Sequence, residues 1–256
     1  MNNPGGSVPE PAYANIARSA LEQVLATQLD AIEKAAGIVA DAIAAGGVLQ
    51  AFGTGHSRIV TLELAARAGG LAAVSMLAVK DLVMFGGADP KPILDPTYER
   101  ESGLADRIYH LAAPSEHDAF LIVSNSGINA AVIEMAALAR ERSHPIVAVT
   151  SLTHTRSAGA RATQGPHLAD LADVVIDNLA PAGDAALEIT PGLRIGAISS
   201  FTGVLIAQLL TELICRQMLD RGIDPPVHVS ANLAAGDAHN RVLYERYRDQ
   251  VRPIEP

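Results

Sequence analysis

Over 14–45 apolar residues return every three or four positions, at Leu21, Leu25, Leu29, Ile32, Ala36, Val39 and Ile43, which is the spacing of one face of a single long helix. Gly46-Gly47 ends it. A short, mainly apolar run over 48–52 then predicts a buried strand, and 57–68 a helix that closes at Gly69-Gly70. The unit is strand, glycine turn, helix.

That unit returns along the chain. Residues 119–123 predict a strand, Ser124-Asn125-Ser126-Gly127 a turn, and 129–142 a helix with Val132, Met135, Ala136 and Ala139 on one side. A third strand is predicted over 145–149, followed by Thr150-Ser151 and a polar segment up to Gly165. Weaker strands fall at 74–78 and 174–177, the second after a short helix over 168–171. Strands alternating with helices imply an α/β fold built on a parallel, doubly wound sheet. Between 80 and 102 the chain is rich in Gly, Pro and charge and lacks a period, so it reads as a long excursion between strand and helix. Residues 193–221 predict a helix that is apolar nearly all round, ended by Gly222 and Pro225-Pro226. Such a helix must be covered on several sides, which points to a homo-oligomer. The tail over 237–251 predicts an amphipathic helix with Val242, Leu243 and Tyr247 on one face. The expected layout is a flexible start over 1–12 and one domain over 13–256.

Composition narrows the function. The 256 residues are 49% hydrophobic, enough for a substantial core. A formal charge of -9 argues against a general binder of nucleic acid or anionic membrane, because such proteins need Lys and Arg to neutralise phosphates. A single bound phosphate is compatible with it, since a few aligned donors suffice. Cys215 is the only cysteine, so no intrachain disulfide can form and the composition suits a reducing cytoplasm. It lies in an apolar helical run and reads as a small buried hydrophobe. The first residues lack the basic start and apolar centre of a secretory signal. The apolar stretch 195–210 is interrupted by Ser199, Ser200, Thr202, Gly203 and Gln208, which suits a buried helix better than a membrane span.

In a parallel sheet the carboxyl ends of the strands share one edge, so the turns after the strands ending near 52, 123 and 149 can line one crevice. Those turns hold Thr54, Ser57, Ser124, Ser126, Thr150 and Ser151. Gly53 and Gly55 permit backbone shapes that bring amides close to a ligand, and each following helix points its positive end there. Ser or Asn ahead of a helix is also an ordinary cap; the repetition at one edge is what points to an oxyanion pocket. A dinucleotide fold would need a third glycine three residues after Gly55, where Arg58 stands.

The segments "FGTGHS", "SNSGINAAVIEMA" and "PIVAVTS" resemble the phosphate-site signatures of the SIS (sugar isomerase) domain over about residues 16–221. "RGIDPPVHVSAN" and "GDAHNR" are similar to a subfamily that carries the phosphoheptose isomerase label, which does not itself specify a reaction. The resemblance implies a five-stranded parallel sheet between helices, a dimer or tetramer, and a sugar phosphate held by the Ser/Thr turns without cofactor or metal. By motif, Ser57, Ser124, Ser126 and Asn129 take the phosphate, with help from Gly53, Thr54, Gly55, Asn125, Thr150 and Ser151.

An aldose-ketose isomerisation needs a base that moves a proton between adjacent carbons, and often an acid near the carbonyl. The resemblance makes Glu63 the candidate base; its alternative is an ion pair with Arg67 at i+4. Phosphoheptose isomerases place a histidine on the long helix corresponding to 193–221, and none is present there. The candidates for that role are His56 and His239, with His154 behind them, while Glu99 and Glu101 of the excursion could also enter the site. No His-x-x-x-His or cysteine pair suggests zinc. The expected function is a cytoplasmic sugar-phosphate isomerase. The alternatives are a sugar-phosphate sensor without turnover, for which no basic DNA-recognition segment is present, and a lyase or etherase acting on a sugar phosphate.

Overall fold

The computed structural model describes residues 11–95, 97–157 and 165–254. Of the start expected over 1–12, residues 1–10 lie outside the described residues, as does 158–164 of the polar segment before Gly165. The elements in order are α1 (Ala12–Thr27), α2 (Leu29–Ala44), β1 (Leu49–Gly53), α3 (Arg58–Leu64), β2 (Val74–Leu77), α4 (Asp81–Met84), α5 (Leu104–Ala112), β3 (Ala119–Val123), α6 (Ala130–Glu141), β4 (Ile146–Thr150), α7 (Leu152–Thr155), α8 (Leu168–Leu171), β5 (Val174–Asp177), β6 (Ala185–Thr190), β7 (Leu193–Ala197), α9 (Ser199–Asp220) and α10 (Gly236–Tyr247).

The first five strands form one parallel sheet in the order β2-β1-β3-β4-β5. Strands β1 to β4 are buried at every position, the signature of a sheet covered on both faces. Alternate residues feed two cores. Leu49, Ala51, Leu121 and Val149 pack with α2, α3 and α9, whereas Phe52, Phe120, Ile122 and Ala148 pack with α5 and α6. Strand order reverses between β1 and β3, which are in register with Gly53 opposite Val123. Because α3 and α6 lie on opposite faces there, their connecting turns part and leave a crevice at the switch point.

Two expectations about helices are corrected. The helix over 14–45 is two helices, broken at Gln28 with φ -111° and ψ -5°. The break lets α2 cover the sheet while α1 leans on α9 and β6. As a result Val24 is buried while Leu25 and Leu29, assigned to the core face, are exposed. The helix expected from 193 begins at Ser199, because 185–197 forms the antiparallel hairpin β6–β7 around Pro191-Gly192. Gly192 has φ +82°, as the second central position of such a turn requires. The alternating pattern of "ALEITPGLRIGA" is that of a strand pair, which prevails over helical spacing there.

Asp184 joins the hairpin to α9. Its Oδ1 accepts from the amides of Ile198 (3.0 Å) and Ser199 (2.8 Å), and its Oδ2 accepts from the Ser199 hydroxyl at 2.6 Å. A carboxylate at a helix start satisfies orphan amides and complements the helix dipole. Helix α9 has the length and apolarity of a membrane span, but Ile206, Leu210 and Ile214 are buried against the chain itself, so it serves as a core helix. Gly203 permits its close approach to α3, since a Cβ there would stand 2.5 Å from Val60 Cγ2.

The chain after α9 returns to the edge strand. The Ala72 amide donates to Pro226 O (2.7 Å), and Gly70 and His228 close the pairing at 2.9 Å. Helix α10 then packs with Leu243 and Tyr247 inward, while Val242, expected on the same face, is 68% exposed.

His228 is buried in this junction, and desolvation pushes its pKa below the usual 6.5, opposed by its interaction with the Asn240 side chain; His239 nearby lowers it further. A depressed folded pKa means that its stabilising contribution is fully present above pH 6.5 and is lost as pH falls through the folded value. The thermal midpoint is therefore expected to drop on acidification below pH 6.5. His228→Gln should flatten that part of the profile in scanning calorimetry, and a parallel slope in both proteins would reject His228 as its source.

Candidate functional site

The turn 54–57 leaves β1 through Gly55, whose φ is +54°, and runs through a short 3-10 turn into α3. Gly53 sits against the Ser57 carbonyl and Val123 O, where a side chain would meet backbone at 3.2 to 3.3 Å. Thr54 is buried beneath the turn, and Ser57 stands at the start of α3 without making a side-chain cap.

The second turn follows β3. Ser124 is buried, and its Oγ accepts from the Gly127 amide at 3.1 Å, so it shapes the turn. Gly127 has φ +66° and lies on Thr150 Oγ1, which a Cβ there would approach to 3.0 Å. Asn129 precedes α6 without capping it. The start of α6 thus leaves amides without a cap near the crevice, whereas ahead of α3 the Ser57 and Arg58 amides are bonded to the carbonyls of Thr54 and Gly55.

Ser57 and Asn125, from turns on opposite faces of the sheet, line one narrow cleft together with His56, Asn178, Ser199 and Ser200. Asn178 Nδ2 donates to Asn125 Oδ1 at 3.1 Å, leaving the Asn125 NH2 group to serve as a donor. Cations stand beside this corner. Arg58 follows Ser57, and Lys80 lies near it: burial lowers the Lys80 pKa, the Asp81 carboxylate opposes that, and the Arg58 charge adds to the lowering.

The third turn holds a different position. Thr150 is fully buried under Gly127, with no hydrogen-bond partner for its hydroxyl among the described residues. Ser151 donates to Ala180 O at 2.6 Å and accepts from the His154 amide at 2.9 Å, capping α7. The Ser151 hydroxyl, expected to meet the phosphate, is engaged by Ala180 and His154, and the same segment supports the second turn through other groups: the Ser151 amide donates to Asn125 O, and Thr155 Oγ1 donates to Ser126 O at 2.9 Å.

Among the acid-base candidates, His56 borders the cleft. Glu63 is held by Arg67, its i+4 alternative, and also accepts from Gln208 Nε2 at 2.6 Å. His239 bonds through Nε2 to Val227 O at 2.9 Å, in the segment that pairs ahead of β2 and therefore by the strand start, away from the carboxyl ends of the strands. His154 Nδ1 accepts from the Gly183 amide.

Glu99 is where the excursion meets the site. One carboxylate oxygen accepts from Asn129 Nδ2 at 2.9 Å, and the other lies 3.5 Å from the Cβ position of Gly55. A carboxylate thus bridges the first and second turns, while Glu101 is exposed. Asn178, Ser199 and Ser200 were not singled out from the sequence. Asn178 directly follows β5 at the same sheet edge, a position readable from the strand pattern; Ser199 and Ser200 fall inside the helix expected from 193 and in fact mark its start.

Comparison with known proteins agrees with this fold. The family profile described as SIS domain matches residues 12–151. A UPF0309 protein of Listeria monocytogenes serotype 4b (strain CLIP80459) is 33% identical over 240 residues, 93% of this chain and 96% of that protein. One of Brucella canis is 39% identical over 233 residues, 91% and 92% of the two chains. Among solved structures, a phosphoheptose isomerase from Neisseria gonorrhoeae superposes with a TM-score of 0.52 at 18% identity, covering 79% of this chain and 95% of that one. One from Francisella tularensis gives 0.51 at 17% identity, covering 79% and 94%. At those identities the likeness is one of fold.

Proposed function

The chain belongs to the SIS domain family, and from that premise we propose that it binds a sugar phosphate at the β1–β3 switch point and isomerises it between aldose and ketose. The observation that supports this reading most directly is the convergence of Ser57 and Asn125, from turns on opposite faces, on one cleft. The phosphate is held by Ser57, Ser126 and the amides at the start of α6, with Asn125 NH2 as a further donor and Arg58 and Lys80 supplying charge. Ser124, Thr150 and Ser151 hold the turns in shape.

For the chemistry, the carboxylate of Glu99 is the better placed base, because it already lies between the two turns, whereas Glu63 is engaged by Arg67 and Gln208. It takes the proton from C2 of the aldose and returns it to C1 of the enediol, while His56 gives a proton to O1 as the enediol forms and takes one from O2 as the C2 carbonyl forms. The exposed Ile59 and Leu62 of α3, with Phe201 of α9, form an apolar face suited to a second copy of the chain. His239 stays with the tail in its own chain, so a part in the reaction would be played across such a dimer.

The reading is tested first by thermal shift with pentose, hexose and heptose phosphates against the same sugars without phosphate. A ligand that binds only the folded state raises the midpoint, so the phosphorylated sugars alone should do so. Equal effects of both sets would refute the phosphate site, and binding without proton exchange would assign the protein to sensing.

A further inference from the structure

The excursion between α4 and α5 reaches the site at Glu99 and ends shortly after it, at Ser102 and Gly103. Its last stretch is one 3-10 turn, Tyr98–Arg100, followed by extended backbone at Glu101. So short a turn makes too few hydrogen bonds of its own to fix where a side chain points. The Glu99 carboxylate has to be held from outside the excursion.

The holding contacts come from one helix. Asn129, ahead of α6, donates from Nδ2 to Glu99 at 2.9 Å. Further along the same helix the half-buried Glu134 accepts at both oxygens, Oε1 from the Ser102 hydroxyl at 2.7 Å and Oε2 from the Gly103 amide at 2.9 Å. Gly103 stands just before α5 with φ +79°, a backbone shape that glycine adopts without strain. Its amide is one of those a helix start leaves without a partner, and Glu134 supplies one. On the other side of Glu99, Tyr98 is buried in the core beneath α5 and α6, and its hydroxyl accepts from Arg107 Nη1 at 3.1 Å. Glu99 is thus fixed before and behind.

We propose, on the reading of Glu99 as the base, that Glu134 is a positioning residue: by closing the end of the excursion onto α6 it holds Glu99 between the first and second turns. The bond pattern matters here and the charge does not. A glutamine at 134 can accept from the Gly103 amide and donate to the Ser102 oxygen, since a hydroxyl serves in either role, whereas alanine can do neither. A base displaced by about 1 Å loses much of its rate, while the phosphate donors, which lie on other residues, keep their hold.

Two quantities are measured: solvent deuterium incorporation at C2 of a sugar phosphate that shifts the wild-type midpoint, and the side-chain amide resonances of Asn129, assigned by their absence in Asn129→Ser. In Glu134→Ala the exchange rate at saturation is expected to fall roughly ten- to a hundredfold with KM within about twofold of wild type. Its Asn129 resonances should move toward their position in Glu99→Ala. Ser102→Ala removes one of the two bonds at an exposed residue and should lose roughly three- to tenfold. Glu134→Gln should keep the rate within about threefold of wild type and leave the Asn129 resonances in place. A wild-type rate in Glu134→Ala alongside a slow Glu99→Gln would overturn the positioning role and leave the base assignment standing. So would a Glu134→Gln as slow as Glu134→Ala. If the wild-type protein exchanges no deuterium, the base assignment falls, and Asn129 resonances unmoved in Glu134→Ala would then refute the positioning role independently.

Discussion

Ser57→Glu is expected to weaken sugar-phosphate binding at least roughly a hundredfold while the protein remains as stable as before. Ser57 borders the cleft without making a side-chain cap, so its hydroxyl is not needed by the helix it precedes. Loss of a donor to a charged group costs about 1.5–3 kcal/mol, and a carboxylate beside the phosphate adds repulsion. The same carboxylate at the start of α3 complements the helix dipole, so the fold does not suffer. Calorimetric titration with a phosphate that shifts the wild-type midpoint checks this, with urea unfolding as the control. Ser57→Ala should lose about tenfold by the same reasoning. Affinity of Ser57→Glu within twofold of wild type would remove this turn from the phosphate site.

The second large effect concerns proton transfer. Glu99→Gln should lower incorporation of solvent deuterium at C2 of a bound sugar phosphate by roughly 10²–10⁴-fold, the usual contribution of a positioned base. Glutamine keeps an acceptor for Asn129 Nδ2, so the bridge between the turns survives and binding should change far less than turnover. Glu63→Gln, by contrast, keeps an acceptor for Gln208 and loses an exposed ion pair with Arg67, which is worth little. Its exchange rate should stay near wild type. The reverse pattern, with exchange lost in Glu63→Gln and kept in Glu99→Gln, would return the base to Glu63.

The contrast between these two glutamates shows how far local pattern reaches. Glu63 was read from its place on a helix, by resemblance, and that helix exists; its partners are Arg67 one turn on and Gln208 on α9, and the second lies 145 residues away in the chain. Glu99 lies in a segment without periodicity, where short-range pattern says nothing of which way the chain folds back. Only the packing of the excursion against α6 brings it to Asn129. Thr150 and Ser151 illustrate the same limit: their positions at the sheet edge were legible, but the depth of each hydroxyl depends on Gly127 above and Ala180 beside them.

What the sequence determined by itself is the sheet of α/β units and the turns on it, because strand and helix periods and glycine breaks are local, and a strand buried on both faces is written as an apolar run. The boundary at Ser199 and the break at Gln28 were decided by tertiary contacts, with the hairpin and the lean of α1 winning over helical spacing. So too were the neighbours of each polar side chain at the sheet edge, for a hydroxyl or carboxylate takes its role from groups far away in sequence, and distance along the chain does not encode distance across a crevice.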